Sequence, residues 1–299
     1  MSLLSPQVVA FIAIIEETSF ERAAKRLNVT PSAISQRIKQ LEDRVGQLLI
    51  IRQFPCKPTP AGERLLSRVK PMSLLEAEVM ADFLPESETY SYSKTFSIAV
   101  NEDSLSTWLL QPLATLYQEY GYLFDIQVDN EDFTLEHLKN GTVIGALTSE
   151  KKLLQGCVSQ QLGNMRYCAI ASPQFYHHYF KNGLTAAAFQ QAPMLDYDHK
   201  DLLQRKFLEM IIHQTVLPAS VHYLPSALSL VDAVKYHMGW CVTQEGLLGD
   251  AIEKGEVINI APDIFMDVPL YWQYAGIRSR VLSQITQAFM TASSAVLYA

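Results

Sequence analysis

Through the first eighty positions apolar residues recur every three or four places. Val8, Phe11, Ile12 and Ile15 form one such set; Ile34, Ile38, Leu41 and Val45 form a second; Leu65, Val69, Met72, Leu75, Val79 and Phe83 form a third. That spacing belongs to helices with one apolar face. The punctuation agrees, because Ser5-Pro6, Ser19, Thr30-Pro31 and Thr59-Pro60 each place a capping hydroxyl or a first-turn proline at the head of a helix. Asn28-Val29-Thr30 is then a turn between two short helices, and the small pair Ala23-Ala24 lets helices cross closely. After Glu42 the run Val45–Arg52 turns and becomes β-prone until Pro55, Pro58 and Thr59 end it, which predicts a small β-wing. A long helix starts at Pro60, and Pro71 inside its pattern should kink or shorten it. Pro85 to Lys94, rich in Ser, Tyr and Glu, reads as a hinge.

From Thr95 the period changes. Short apolar runs at Phe96–Val100, Phe124–Val128, Val143–Leu147 and Tyr167–Ala171 alternate with helical patterns at Asp103–Tyr120 and Phe133–Leu138. A second alternation follows, with strands expected at Met194–Tyr197, Val221–Tyr223 and Trp240–Val242, then Leu270–Ala275 and a helix over Ser279–Leu297. Alternation of this kind predicts parallel α/β sheet in two lobes, the first completed by the C-terminal residues. The expected division is residues 1–58 as a winged helix-turn-helix, 59–93 as linker helix and hinge, and 94–299 as a two-lobed α/β domain. Within the last, lobe 1 takes about 94–166 plus 270–299 and lobe 2 about 167–269.

Charge sharpens this picture. The chain of 299 residues has a net charge of −7, yet residues 18–70 hold eleven Lys/Arg against four Asp/Glu. A basic head on an acidic body fits a nucleic-acid reader joined to a domain with another partner. On the second short helix Ser32, Ser35, Gln36 and Lys39 lie opposite the apolar stripe, with Arg37 on the flank. Short hydroxyls, an amide and cations are the groups that reach base edges and phosphates in a major groove. The candidate DNA-binding set is therefore Thr30, Pro31, Ser32, Ser35, Gln36, Arg37, Lys39 and, on the wing, Arg52, with Lys57 near it. The long linker stripe wants a partner helix, and a two-fold operator wants a homodimer.

Cys56, Cys157, Cys168 and Cys241 have neither disulfide nor metal spacing and read as reduced thiols of a cytoplasmic protein. The longest clear apolar run, Val8–Ile15, is too short for a bilayer. No GxSxG, GxGxxG, P-loop or HExxH occurs, and His177-His178 lacks further ligands, so neither an enzyme nor a metal or other cofactor is expected.

The chain resembles the LysR-type transcriptional regulators over its whole length. The likeness rests on Ser19-Phe20, Ala23-Ala24, Leu27, the run Pro31-Ser32-Ala33-Ile34-Ser35, Ile38, Leu41-Glu42, Leu49, Arg52 and Pro58-Thr59-Pro60-Ala61-Gly62. Within that family it is most similar to the lysine/arginine-export branch, through Gln53-Phe54-Pro55-Cys56, Asp103-Ser104-Leu105, Thr107-Trp108-Leu109-Leu110, Tyr197-Asp198-His199, Asp201 and Leu270-Tyr271-Trp272. The resemblance implies a winged helix-turn-helix, a dimerising linker helix and a two-lobed, periplasmic-binding-protein-like effector domain. It also implies a homodimer or homotetramer on an operator, RNA polymerase as a further candidate partner, a lysine or arginine effector and control of an exporter or related gene.

In open α/β sheets ligands sit beyond the carboxyl ends of strands. Asn101-Glu102-Asp103-Ser104 lies there, where helix N–H groups could receive a carboxylate and Ser104 and Thr107 add hydroxyls. Ser226 opens the equivalent helix in the second lobe. A cationic side chain needs an anion, for which Glu131, Asp132, Asp198 and Asp201 are available; Asp198 and Asp201 match the branch, and Asp198 is the favoured one. The expected effector set is Asn101, Ser104, Thr107, Glu131, Asp198 and Ser226. Pro225, Leu228 and Gln244 depart from the branch pattern, so a different small organic effector stays open, as does a solute-binding protein.

Overall fold

The computed structural model describes residues 2–83, 95–130, 133–213 and 218–299. The hinge read at 85–94 lies outside the described residues.

The N-terminal unit is built from local signals. Helix α1 (Pro6–Glu17) is capped by Ser5, whose hydroxyl accepts from Val8 N, and it ends at Thr18 in the left-handed region. Helices α2 (Phe20–Arg26) and α3 (Pro31–Val45) are capped by Ser19 and Thr30, and Gly46 closes α3 at φ +75. Their common core holds Phe11, Ile14, Ala23, Ile34 and Ile38, each 0% exposed. Fully burying a side chain of Ile or Phe size stabilises by about 1.5–3 kcal/mol, so these few residues fix the crossing of α1 on α3. The wing is smaller than its apolar run suggested: β1 (Ile50–Ile51) pairs antiparallel with β2 (Lys57–Pro58), two residues each.

Helix α4 runs unbroken over Pro60–Phe83. Pro71 does not shorten it, because tertiary packing on both sides outweighs one missing helical hydrogen bond. Its apolar residues also do not form a single stripe. Leu66 and Val69 enter the N-terminal core, Leu74 enters the core of the second domain, and Met72, Val79 and Phe83 are exposed.

The second domain hangs on one seven-stranded sheet. Strand β3 (Thr95–Val100) pairs parallel with β4 (Leu123–Val128) and with β5 (Gly145–Thr148). Between β3 and β4 the chain turns through Glu102–Ser104, a π-helical turn over Leu105–Leu109, and helix α5 (Leu110–Tyr120). Pro112 cannot donate to Trp108 O, which favours the wider turn there. Helix α6 (Thr134–Lys139) packs between β4 and β5 in sequence. Two long strands then cross from one lobe to the other: β6 (Cys157–Ala171) and, returning, β11 (Met266–Ala275), antiparallel to each other and β11 antiparallel to β5.

Between them lies lobe 2. It contains α7 (Pro173–Tyr179), α8 (Ala186–Gln191), β7 (Met194–Asp196), α9 (Leu203–Ile212), β8 (Val221–Tyr223), α10 (Ala227–Lys235), β9 (Cys241–Gln244) and β10 (Ile258–Asn259). Strands β7 and β8 pair parallel, while β9 and β10 add antiparallel to the far half of β6. Helix α11 (Arg280–Ser293) ends the fold, and Tyr298 bridges back to Asn164.

The sheet is thus mixed rather than parallel. The alternation of runs showed the β3–β5 unit correctly but not the two crossing strands, whose pairing spans about a hundred residues and needs no crossover helix. The expected strand Tyr167–Ala171 is only the end of β6, and the expected lobe boundaries near 166 and 270 fall inside continuous strands. Cys168 and Cys241 are buried in the lobe 2 core, and burial pushes the Cys168 thiol up to about 12. His177 and His178 are exposed. Among the described residues no group of acids, His and Cys could hold a metal, and no helix is long and apolar enough to cross a membrane.

Candidate DNA interface and ligand cleft

The outer face of α3 is chemically free. Thr30 accepts from Ala33 N at 3.2 Å and sets the helix start, with Pro31 at its first position. Pro31, Ser32, Gln36 and Lys39 are exposed, and Ser35 and Arg37 are partly so. Ile34, Ile38 and Leu41 hold the opposite face in the core, so the polar row projects as a unit from a rigid helix.

Arg52 follows the wing strand β1, and it has a partner that the sequence reading did not include. Its guanidinium pairs with Glu42 at 3.2 Å and lies over the Phe20 ring at 5.5 Å. Glu42, only 7% exposed, also accepts from Leu49 N at 2.9 Å. One buried carboxylate therefore ties the end of α3 to the start of the wing, and Arg52 supplies its countercharge while keeping about half its side chain, 53%, in solvent.

The ligand cleft lies between the lobes and is narrow, with a cavity volume of about 50 Å³, below the usual range for small-molecule sites. Lobe 1 contributes Asn101, Glu102 and Asp103 from the β3 carboxyl end and Asp129 and Asn130 from that of β4. Tyr167 enters from the crossing strand β6. Lobe 2 supplies Tyr197, Asp201, Leu203 and Gln204, the first turn of α10 through Ala227 and Leu230, and Val242 and Thr243 of β9.

Four of these groups are carboxylic acids, and the described lining includes no Lys or Arg. The electrostatics follow. Tyr167 donates to Asp103 Oδ2 at 2.7 Å, yet burial, with Asp201 and Glu102 nearby, pushes the Asp103 carboxyl up to about 6. Asp196, at the end of β7 behind the cleft, is pushed up to about 7 by burial and by Asp201. Burial and Glu102 raise the Tyr197 phenol. Asp129 is paired with His137 Nε2 at 3.1 Å. Two buried amide oxygens, Asn101 Oδ1 and Gln204 Oε1, and the buried Glu102 Oε2 accept no hydrogen bond among the described residues. Buried acceptors without donors point to a missing donor-rich partner.

The residues singled out in the sequence separate here. Asn101 lines the cleft. Ser104 does not: it is fully buried with its hydroxyl against Met165 Sδ at 3.5 Å, because the helix phase turns it inward. Thr107 donates to Asp103 O at 2.6 Å and braces the turn from within. Ser226 caps α10 through Ser229 N at 3.4 Å, at the cleft's lobe 2 edge. Asp198 accepts from Lys200 N at 2.7 Å and Asp201 N at 2.9 Å within its own loop and does not line the cleft; Asp201, which accepts from Leu203 N at 2.8 Å, does. Glu131 and Asp132 lie outside the described residues. Tyr167, Tyr197, Asp129 and Gln204 were not visible as site residues in the sequence; Glu102 and Asp103 stood in the flagged strand-to-helix segment, which was the available signal.

Comparison with known proteins agrees with both halves. Residues 6–63 match the bacterial regulatory helix-turn-helix proteins of the lysR family, and residues 91–296 match the LysR substrate binding domain. The chain is 34% identical over 280 residues to the HTH-type transcriptional regulator ArgP of Photobacterium profundum, covering 94% of this chain and 93% of that one. It is 35% identical over 291 residues to LysG of Mycobacterium tuberculosis, covering 97% and 93%. Among solved structures, ArgP from Mycobacterium tuberculosis superposes with a TM-score of 0.86 at 35% identity, covering 99% of each chain. Full-length LysG from Corynebacterium glutamicum with bound effector Arg gives 0.77 at 34% identity, covering 99% of this chain and 100% of that one. With a helix-turn-helix whose polar face is free, a two-lobed domain behind it and matches along the whole length, the chain belongs to the LysR family of bacterial helix-turn-helix transcriptional regulators.

Proposed function

We propose that this regulator is switched by a basic amino acid, arginine or lysine, held in the cleft between its lobes. The observation that carries the reading is the composition of the cleft wall: Glu102, Asp103, Asp129 and Asp201, with the unsatisfied oxygens of Asn101 and Gln204, and no cationic side chain among the described lining. A guanidinium or ammonium supplies both the charge and the N–H donors such a wall lacks. The relative from Corynebacterium glutamicum that was solved with bound Arg supports it.

The acids change where each end of the effector goes. The turn at Glu102 has two acids at its head, which disfavours a third carboxylate there. The cationic side chain is assigned to Glu102, Asp103 and Asp201, and the α-carboxylate to the first turn of α10, which has no acid and carries the Ser226 hydroxyl. Asn101 is a direct contact; Thr107 braces the turn behind it, Ser104 anchors that turn on Met165, and Asp198 holds the loop that carries Asp201. On the DNA side, Ser32, Ser35 and Gln36 read bases while Arg37 and Lys39 hold phosphates, with Arg52 at the wing. The exposed Met72, Val79 and Phe83 of α4 pair with a second copy, giving a homodimer on a two-fold operator in the cytoplasm.

The test is fluorescence anisotropy of a duplex selected from a random pool, at about 50 and 200 mM salt, where six to ten phosphate contacts cost about 10³-fold or more in affinity. Addition of L-arginine or L-lysine is expected to shift the operator Kd by about fivefold or more. Salt-sensitive binding that no basic amino acid alters would overturn the effector assignment.

A further inference from the structure

The linker helix is fastened to the effector domain by a carboxylate that caps one of that domain's helices. Glu78 on α4 accepts from Ser279 Oγ at 2.5 Å and from the backbone N–H groups of Arg280 at 3.1 Å and Val281 at 3.0 Å. These are the orphan donors at the head of α11, where a negative charge is stabilised by the helix dipole. One turn further along α4, Asp82 takes Arg280 Nη2 at 3.2 Å. Leu74, between the two domains' contacts, is buried in the effector-domain core.

A second clamp sits toward the other end of the same helix. Lys70, whose side chain is only 10% exposed, donates to Thr142 O of the effector domain at 2.9 Å and pairs with Glu16 of α1 at 3.3 Å. Gly141, at φ +78, lies so close to Ser67 that an added Cβ would collide with the backbone of α4. The linker helix is thus held by both neighbours, and the DNA-reading unit shares its core with Leu66 and Val69.

Helix α11 also packs against the turn that follows the cleft residues. Its Phe289 ring meets Trp108 edge-on at 6.1 Å and Trp272 at 5.0 Å between centroids. Trp108 belongs to the π-helical turn that directly follows the cleft residues Asn101, Glu102 and Asp103. A π turn holds one residue more than an α turn, so a shift at its head can be absorbed or passed on by a small register change. The cleft residues are thus joined through the backbone of that turn, braced by Thr107 on Asp103 O, to Trp108, which packs on Phe289 of α11, and the head of the same helix is held at Ser279 by Glu78 of α4.

We propose that Glu78 is a coupling residue: occupancy of the cleft displaces the head of α11, and the Glu78 cap carries that displacement into the linker helix and so into the placement of the DNA-reading helices. This rests on the reading of the cleft as the effector site. Glu78 touches neither that cleft nor the DNA-reading face; its effect is on the link between them. Two sites become coupled only when both bias one two-state element, and α4 with its cap is that element.

The experiment uses the full chain and the variants Glu78→Ala, Glu78→Gln and Ser279→Ala, with L-arginine as the probe. Calorimetry gives arginine affinity, anisotropy gives operator affinity with and without arginine, and hydrogen exchange reads the Arg280 and Val281 amides. In Glu78→Ala, arginine affinity and arginine-free operator affinity are expected to stay within about twofold of wild type. The arginine-induced change in operator affinity, about fivefold or more in wild type, should fall below about twofold. The two amides should exchange about tenfold faster once their acceptor is gone. Glu78→Gln, which keeps the acceptor but not the charge, should fall between, and with Ser279→Ala it provides the result if the alanine variant does not fold. A full arginine response in Glu78→Ala, or amides that exchange as in wild type, overturns the proposal. A wild-type protein that does not bind L-arginine overturns the effector reading instead, and the cap is then decided by amide exchange alone.

Discussion

Asp103 provides the sharpest prediction because its chemistry changes in an accessible pH range. Its carboxyl, ordinarily near 3.8, is pushed up to about 6 by burial and by Asp201 and Glu102, against the opposing hydrogen bond from Tyr167. At pH 5 only about a tenth of the cleft population carries the Asp103 charge, and at pH 7.5 nearly all of it does. A cationic effector binds the ionised form, so its affinity should rise about tenfold from pH 5 to pH 7.5, with release of a proton below pH 6. The guanidinium and α-carboxylate of arginine keep their charges across that window. Asp196, at about 7, extends the slope upward. For folding the sign is the reverse: a carboxyl raised from 3.8 to about 6 contributes stability that is complete below pH 3.8 and lost as pH rises through 6, so the ligand-free domain weakens where the effector binds best. Asp103→Asn keeps the size and an acceptor for Tyr167 but not the charge. Losing one charge-assisted contact of about 1.5–3 kcal/mol lowers arginine affinity about 10- to 150-fold at pH 7.5. The rise between pH 5 and 6 should disappear, leaving the slope from Asp196. Calorimetry at constant ionic strength, repeated in buffers of different ionisation enthalpy, measures both. A wild-type affinity that is flat from pH 5 to 7.5, or an Asp103→Asn variant with the full slope, refutes the reasoning.

Other consequences are local. Gln36→Ala should reduce discrimination between operator and random duplex by about 1–3 kcal/mol with little change in salt slope, whereas Lys39→Ala should lower the salt slope by about one unit and weaken all duplexes alike; anisotropy titrations with both duplexes distinguish them. Glu42→Ala leaves Leu49 N without its acceptor and Arg52 without its partner, and should destabilise the N-terminal unit by about 1–3 kcal/mol in urea unfolding; unchanged stability would remove Glu42 from the wing's support. Gly145→Ala drives a Cβ into the Trp272 ring and should cost about 1–3 kcal/mol in the effector domain while leaving the DNA-reading helix intact; a neutral result would mean that the β5–β11 contact is looser than described.

The DNA-reading half was largely legible in the sequence because its signals are local. A capping hydroxyl at Thr30, a proline at position 31 and isoleucines four residues apart at 34 and 38 specify where α3 starts and which face it buries. Arg52 was harder, since its position depends on Glu42 reaching seven residues on to Leu49 as well as to the guanidinium itself. The effector half was legible as alternation but not as a sheet, because β6 and β11 pair across about a hundred intervening residues and nothing local records it. The cleft was found by position, at the carboxyl ends of strands, while its chemistry was only half read. Asp198 and Asp201 stand three residues apart in one loop and both accept from its backbone, and only the folded path of that loop puts Asp201 rather than Asp198 in the cleft wall. Ser104 turned inward because it sits on the buried side of the short helical turn Glu102–Ser104, against Met165 Sδ.

The most direct test of the central claim compares L-arginine with L-citrulline, its nearly isosteric neutral analogue, by calorimetry on the full-length protein at pH 7.5. If the acids of the cleft recognise a cation, arginine binds and citrulline binds at least about tenfold more weakly, the loss of one charge-assisted interaction. Equal affinities, or binding of neither arginine nor lysine, would contradict the account.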